Sequence, residues 1–281
     1  MGHSNFQAMS ASREAATAAF VNLLDVSDDD DLSILVDYLT DDGKGRLMLD
    51  ADVRKQLMQS KTNGSFDRSG RRLIAKEIRA FGGNTLVNAV RGEGVDYDEL
   101  VRDVADHLKV AYHKEANPER IEAAILQKLF VDALENMTNE QRAEALREMN
   151  LGDLVGLGPG AVAAAIAAGR MGGFATYKIA IRLAHAIAKA ILGRGLPFGA
   201  GAIIGRGLNL FLGPVGMVLT ALWSAADLAS PAYRVTVPCV VHTAYMRQKA
   251  LMKANSTTCP GCSSINAKTA KFCSECGTTL A

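Results

Sequence analysis

The sequence predicts an all-α protein in which a multi-helix domain adjoins a Gly/Ala-rich hydrophobic helical region, with a small cysteine-containing module at the C terminus. Three observations predict this fold class. Apolar residues recur at helical spacing between residues 13 and 150. Residues 154–228 are rich in Ala, Gly, Ile and Leu and hold only seven charged residues. The last 23 residues hold four cysteines in two Cys-x-x-Cys pairs, and no convincing strand precedes residue 230.

Cap-forming side chains mark where the helices of the N-terminal half begin: Asp50, Asp96, Asn117 with proline at the next position, and Thr138. Asp96 with Glu99, and Thr138 with Gln141, have the spacing of a capping box, in which two side chains satisfy backbone N–H groups reciprocally. Residues 60–70 are polar and hold two glycines, so they are predicted to form a loop.

Glycine and proline divide residues 154–228 into roughly four helices. The second, Phe174–Leu192, carries basic side chains at helical spacing on one face: Lys178, Arg182, His185 and Lys189. Apolar residues occupy another face, and a basic amphipathic helix of this type lies on an anionic membrane or against an acidic partner. The face is therefore predicted to contact an anionic membrane surface, a membrane-protein client or the acidic half of the chain itself.

An uncharged run of 20 residues lies between Arg206 and Asp227, and as a helix it would cover roughly the 30 Å of a bilayer core. Gly213-Pro214 interrupts the run, so conditional membrane association is favoured over a stable span. In the alternative reading the stretch is the buried core of a soluble protein. Residues 1–153 hold 19 basic and 28 acidic residues, whereas residues 154–228 hold six basic and one acidic. The basic stretch could therefore contact either anionic lipid or the acidic half of the same chain, so the charges fit both interpretations.

After this stretch, Pro238 is expected to open a last long helix, Cys239–Lys253, behind a short β-branched segment at residues 230–237. The basic residues near its end suit the negative end of the helix dipole: Arg247, Lys249 and Lys253. His242 is expected to titrate near neutral pH. Cys239 is expected to be a buried small apolar residue, and residues 255–258 a polar linker.

The C-terminal module holds two Cys-x-x-Cys knuckles ten residues apart: Cys259, Cys262, Cys273 and Cys276. Four thiolates at these spacings fit one tetrahedral Zn²⁺ per chain, and because every ligand position is cysteine, the site is predicted to be structural. Redox disulfides are the alternative, but they need a thioredoxin-like context that this short tail cannot supply. Apolar residues beyond Ile265 and Phe272 are few, so the metal must supply most of the folding free energy of this zinc ribbon.

No established catalytic motif is present, so an enzyme of unknown class is the least favoured alternative. The chain is not basic enough to predict nucleic-acid binding. The first 30 residues lack the pattern of a secretory signal, and Met9 fits a natural start behind an expression remnant. We therefore expect a cytoplasmic protein that is peripheral to or inserted in the inner membrane. The sequence is also compatible with a homo-oligomer.

Residues 81–110 resemble the YaaW family of bacterial proteins, which has no assigned activity and is distantly grouped with ubiquinol–cytochrome c chaperones. The resemblance rests on these positions: Phe81-Gly82-Gly83-Asn84, Asn88, Arg91-Gly92, Gly94, Tyr97, Asp103-Val104 and Leu108. A second block, at residues 213–216 and 232–238, resembles the C-terminal signature of that family. The resemblance implies no catalytic residues. Arg91 and Arg234 lie within the two blocks and are candidates for a structural salt bridge or an anion site.

The expected organisation has four parts: a disordered or expression-derived terminus at residues 1–12, an acidic helical domain at 13–153, a hydrophobic Gly-rich helical region packed with it at 154–253, and a zinc ribbon at 254–281. The expected function is non-enzymatic, conditional association with membrane or with a membrane-protein client. The alternative is a soluble assembly factor or chaperone whose apolar stretch is its core.

Overall fold

The computed structural model describes residues 2–44, 46, 49–82, 94–148, 151–162, 173–192 and 232–280. Its helices, numbered in chain order, are α1 Gly2–Val26, α2 Asp29–Thr40, α3 Ala51–Thr62, α4 Arg68–Phe81, α5 Tyr97–His107, α6 Pro118–Glu135, α7 Asn139–Glu148, α8 Gly173–Leu192 and α9 Tyr233–Asn255. Two short strands follow α9, namely β1 Ser256–Thr258 and β2 Ile265–Ala267. The prediction of an all-α protein with a small C-terminal module is confirmed.

Helix α1 begins at Gly2, within residues 1–12, which the sequence predicted to be a disordered or expression-derived terminus. Residues 3–26 contain neither proline nor glycine and are rich in alanine, which has the highest helix propensity. Nothing in this segment therefore ends the helix before Val26.

Side-chain caps begin α3, α6 and α7 as predicted. The Asp50 carboxylate accepts hydrogen bonds from two backbone N–H groups in the first turn of α3, at 2.8 and 3.2 Å. Asn117 accepts one such bond at the start of α6. Thr138 and Gln141 form the predicted capping box, because each side chain accepts from the backbone N–H of the other, at 3.3 and 3.0 Å.

Two other local predictions hold only in part. Asp96 stands at the N-cap of α5 as predicted, but its side chain accepts no cap hydrogen bond, and its carboxylate lies 3.9 Å from the guanidinium of Arg79. The loop predicted at residues 60–70 is much shorter, since α3 continues to Thr62 and α4 begins at Arg68. Asp67 starts α4 by accepting a 2.7 Å hydrogen bond from the backbone N–H three residues later.

Helix α9 is longer than the sequence predicted, because it runs unbroken through Pro238 instead of starting there. A proline in the second turn removes only one backbone hydrogen bond, to the carbonyl of Arg234. Every residue from Val235 to Met246 is buried, so packing on all sides of this segment outweighs the lost bond and the low helix propensity of its β-branched residues. The predicted linker at residues 255–258 is instead the end of α9 followed by β1.

Helix α9 lies at the centre of the helical body. It contacts α2, α4, α5, α6 and α8, and one hydrophobic core extends from Phe20 to Met246. The acidic N-terminal half and helix α8 of the Gly-rich region therefore share a core. Helix α8 agrees with the predicted Phe174–Leu192, while most of the other three helices predicted in residues 154–228 lies outside the described residues. Among the helices described, none is both long and apolar enough for a transmembrane span.

Candidate metal centre and buried ion pairs

The four cysteines of the C-terminal module converge on one point. Their sulfur atoms all lie within 4.8 Å of one another. The closest pairs join the two knuckles, at 3.5 Å between Cys259 and Cys276 and 3.6 Å between Cys262 and Cys273. Four sulfurs gathered in this way form a pocket that could hold a single metal ion.

The local backbone of the ribbon explains this convergence. Strands β1 and β2 pair antiparallel and carry the first knuckle at the turn between them. In each knuckle a backbone N–H donates to the first sulfur, from Gly261 to Cys259 at 3.3 Å and from Glu275 to Cys273 at 3.4 Å. Gly277 follows the second knuckle with φ of +73°, a conformation that favours glycine.

Polar neighbours of Cys273 favour its thiolate form. The Ser264 hydroxyl lies 2.9 Å from Cys273 Sγ and 3.0 Å from Cys262 Sγ. The hydrogen bond with Ser264, followed by backbone N–H groups of residues 275 and 276, lowers the pKa of Cys273 to about 5. A donor set of four sulfurs with hydrogen bonds of this kind fits a thiophilic metal and leaves no position for a substrate.

The core of the ribbon differs from the prediction. Ile265 and Phe272 were expected to form it, but their exposed fractions are 42% and 62%. The buried apolar cluster consists of Cys259, Cys273 and Leu280, with Ala270 packed against them, and Asn266 is the buried polar residue among the described residues of the ribbon. Because so little apolar surface is buried, packing alone supplies little of the free energy that folds the ribbon.

A buried ion pair joins α9 to α6. The Arg247 guanidinium donates to both carboxylate oxygens of Glu122, at 2.7 and 3.0 Å, and Glu122 is 1% exposed. Tyr97 from α5 also donates to Glu122, at 2.8 Å. Burial raises the pKa of Glu122, although Arg247 acts in the opposite direction. This bidentate contact fixes α9 against two helices of the acidic half.

A second ion pair joins α9 to α2. Lys249 Nζ lies 2.7 Å from the carboxylate of buried Asp31 and 2.8 Å from that of Asp28. His242, on the same helix, places its Nε2 3.1 Å from the backbone carbonyl of Asp31. Burial lowers the pKa of His242 to about 4, so the expectation that it titrates near neutral pH is wrong.

The sequence did not predict these two ion pairs. It indicated only that Arg247 and Lys249 stabilise the negative end of the helix dipole. Both lie in the second half of α9, yet each pairs with a carboxylate more than 100 residues away in the chain. The third basic residue of this group, Lys253, is exposed. The only sequence signal for them was the acidic excess of residues 1–153 against the basic excess after residue 228.

The predicted basic face lies on α8, and the structure places its members differently. Arg182 is buried, with 3% of the residue exposed, and His185 is half-buried. Lys178 and Lys189 lie on the same helix, but their side chains are outside the described part of the chain. Arg234 is exposed at the start of α9 and its predicted companion Arg91 lies outside the described residues, so their shared role stays a prediction.

Comparison with known proteins bears out the resemblance. Residues 71–241 match the sequence model of a family described as ubiquinol-cytochrome C chaperone. A UPF0174 protein of Helicobacter pylori strain J99 is 40% identical over 177 residues, which cover 63% of this chain and 70% of that protein. The UPF0174 protein YaaW of Escherichia coli strain K12 is 28% identical over 214 residues, covering 75% of this chain and 85% of that protein. No solved structure matches this chain.

The family match begins inside α4 and ends inside α9, so of the two ion pairs it includes Glu122 but not Arg247, Lys249 or Asp31, and it leaves the ribbon outside. It spans more than half of the sequence. The chain therefore belongs to the UPF0174 (YaaW) family and to the ubiquinol-cytochrome C chaperone family whose sequence model it matches.

Proposed function

We propose that the protein is a non-enzymatic assembly factor or chaperone, which binds a client protein through the end of the helical body that carries the ribbon. One observation carries the proposal. Of the five large apolar side chains exposed in the described ranges, Val26 lies beside the last turns of α9, Leu251 lies on those turns, and Ile265 and Phe272 lie in the ribbon. Exposed apolar side chains gathered in one region are typical of a protein-binding surface.

Two further findings support this function. The name of the matching family describes chaperones, and a chaperone needs a surface for its client rather than a catalytic centre. The buried carboxylates of Glu122 and Asp31 are also engaged in packing α9, since they pair with Arg247 and Lys249. Such pairs hold a scaffold together and leave the exposed apolar end for recognition.

We further propose that the four cysteines bind one structural Zn²⁺. Zinc prefers four-coordinate tetrahedral sites made by thiolates, and this site supplies four sulfurs with satisfied hydrogen bonds. In this role the ion folds the ribbon and fixes the position of the side chains on its surface, including Phe272.

Site-specific photo-crosslinking in living cells tests the client proposal. We expect p-benzoylphenylalanine at position 272 or 26 to give discrete adducts with a polypeptide, because both side chains are exposed at the proposed surface. Position 157 is the matched control, since Leu157 is an exposed apolar residue outside this region. Adducts that are absent at all three positions, or identical at all three, would contradict the proposal.

We retain conditional lipid association, in the cytoplasm at the inner membrane, as a second proposal, because the four basic positions do lie on one helix, α8. We expect Lys178→Gln/Lys189→Gln to weaken flotation with phosphatidylglycerol vesicles by about 30-fold, at about 1 kcal/mol per charge. Buried Arg182 is expected to act on stability instead, so Arg182→Gln should lower the melting temperature without a separate loss of flotation. Wild type that does not float at low salt would rule out this lipid contact.

A further inference from the structure

A cleft lies between helices α1 and α4. It encloses about 570 Å³, which is within the range of small-molecule pockets. Helix α1 lines it with two apolar residues and one amide: Ala18, Val21 and Asn22. Helix α4 lines it with three basic residues and one alanine, and Gly94 completes the lining: Arg72, Ala75, Lys76 and Arg79. We name this feature the α1–α4 cleft.

The charged residues that line the α1–α4 cleft all have the same sign. Arg72, Lys76 and Arg79 fall within an arc of about 60° around the axis of α4, because successive residues of a helix are about 100° apart. Among the described residues that line the cleft, none is acidic. The one acid of α4, Glu77, stands about 100° or more around the axis from each of the three cations. The lining of the cleft is therefore positively charged.

Two of these cations lack a carboxylate partner. The other basic residues of α4 each have one within 4 Å: Asp25 at 3.6 Å from Arg68, Asp29 at 2.5 Å from Arg71 and Asp96 at 3.9 Å from Arg79. Arg72 and Lys76 are exposed, and within the described residues neither has a carboxylate within 4 Å. The cleft thus holds two positive charges that no ion pair offsets.

The acids that surround the cleft do not remove this excess. On α1, Glu14 and Asp25 stand one helical turn beyond the lining residues at either end, and both have partners of their own. Residues 83–93 precede Gly94 and lie outside the described residues, but they contain one basic and one acidic residue and so add no net charge. The positive charge of the cleft therefore survives a count of its neighbours.

The third cation, Arg79, is fixed in the wall of the cleft. Its Nε donates to the Val95 carbonyl at 2.7 Å and its Nη2 to the Gly94 carbonyl at 3.4 Å. A Cβ atom at Gly94 would lie 2.2 Å from the carbonyl carbon of Arg79, so this turn of the chain packs directly on α4. The guanidinium is thereby positioned before any ligand arrives, which lowers the entropic cost of binding one.

We propose that the α1–α4 cleft binds a phosphate monoester. A phosphate monoester carries about −1.5 to −2 charges at pH 7, which matches the two unpaired cations, whereas a carboxylate carries one. Arginine and lysine are the side chains that bind phosphate oxygens most effectively. The volume leaves room for an organic group beside the phosphate, against Ala18, Val21 and Ala75. This site goes beyond the proposed client surface and does not depend on it.

A soluble phosphorylated compound and a phosphatidic acid headgroup both present this chemical group. A titration of the full-length, zinc-loaded protein, followed by amide NMR, uses phenyl phosphate as the probe. We expect saturable shifts in residues 18–22 and 72–79, which line the cleft. Methyl phenyl phosphate keeps the ring but is a diester with a single charge, so it should bind at least about tenfold more weakly.

Variants locate that binding on the protein. We expect Arg72→Gln/Lys76→Gln to weaken phenyl phosphate binding by about tenfold or more, because it removes both unpaired cations. Lys55→Gln/Arg120→Gln is the matched control, since it removes one lysine and one arginine from exposed positions on α3 and α6, and it should stay within about twofold of wild type. All four positions are exposed, so circular dichroism should report an unchanged fold.

Vesicle flotation separates the two sources of the phosphate. Flotation with phosphatidic acid vesicles that is lost in Arg72→Gln/Lys76→Gln and kept in Lys178→Gln/Lys189→Gln would assign a lipid headgroup. Binding of phenyl phosphate without such flotation would assign a soluble compound. The inference is overturned by equal binding of the monoester and the diester, by unchanged binding in Arg72→Gln/Lys76→Gln, or by wild type that neither binds phenyl phosphate nor floats.

Discussion

Replacing Arg247 with Met is expected to lower the free energy of unfolding by about 3–5 kcal/mol, because it leaves the carboxylate of Glu122 buried without its cation. Glu122 is 1% exposed, so water cannot replace the lost guanidinium. The melting temperature should fall on the order of 10 °C. Thermal and urea unfolding followed by circular dichroism measure both quantities.

The effect of Arg247→Met should depend on pH. Burial already raises the pKa of Glu122, and removal of Arg247 removes the strongest influence that lowers it. A folded state with a raised carboxyl pKa binds protons more readily than the unfolded chain, so its stability falls as pH rises through that pKa. The variant should therefore lose more stability at about pH 8 than at about pH 5.

A double variant supplies the control for this ion pair. Glu122→Gln/Arg247→Met removes the buried charge and keeps an amide oxygen to accept from Tyr97, so it should be more stable than Arg247→Met alone. A single variant within about 1 kcal/mol of wild type, or a double variant no better than the single one, would show that α9 is not held by this pair.

Removal of the metal is expected to unfold the whole ribbon and to spare the helical body. The apolar cluster of the ribbon holds just two cysteines and Leu280 among the described residues, whereas structural zinc contributes about 10–16 kcal/mol to the folding of comparable peptides. The core from Phe20 to Met246 does not include any ribbon residue. Chelation should therefore collapse the amide NMR dispersion of residues 256–280 while most of the helical circular dichroism remains.

Elemental analysis gives the matched test of the metal site. Wild type and Cys239→Ser should hold about one zinc per chain, because Cys239 is buried in α9 outside the four-sulfur cluster. Cys273→Ser/Cys276→Ser should hold none. Equal metal in the double variant and wild type, or ribbon resonances that stay dispersed after chelation, would contradict the assignment.

Local interactions could be read from the sequence, and long-range ones could not. The caps at Asp50 and Thr138 depend on residues two or three positions away, so spacing alone predicts them. The Cys-x-x-Cys pairs predicted their own convergence for the same reason. Spacing also predicted the N-cap position of Asp96, but not that its carboxylate would lie 3.9 Å from Arg79 of another helix and make no cap bond.

The pairing of Arg247 with Glu122 shows why the candidate sites were harder to predict. A basic residue near the end of a helix satisfies the dipole rule whether or not it has a tertiary partner, so the local pattern carried no sign of the buried carboxylate. Arg182 has the same ambiguity, since helical spacing placed it on a basic face and the packing of α8 buried it. Overall charge asymmetry predicted that the two halves attract, but not through which residues.

Helix α9 enters the ribbon without a linker, since Asn255 ends the helix and Ser256 begins β1. Its last carbonyl is also bonded to the ribbon, because Asn255 O accepts from the Lys268 N–H at 2.8 Å. Arg247 and Lys249 lie about 200° apart around the helix axis and are gripped by different helices, so α9 cannot rotate about its own axis. The rotational position of α9 about its axis therefore fixes the orientation of the ribbon relative to the helical body. One alanine inserted after Lys249 would turn the ribbon by about 100° about that axis and leave both ion pairs intact.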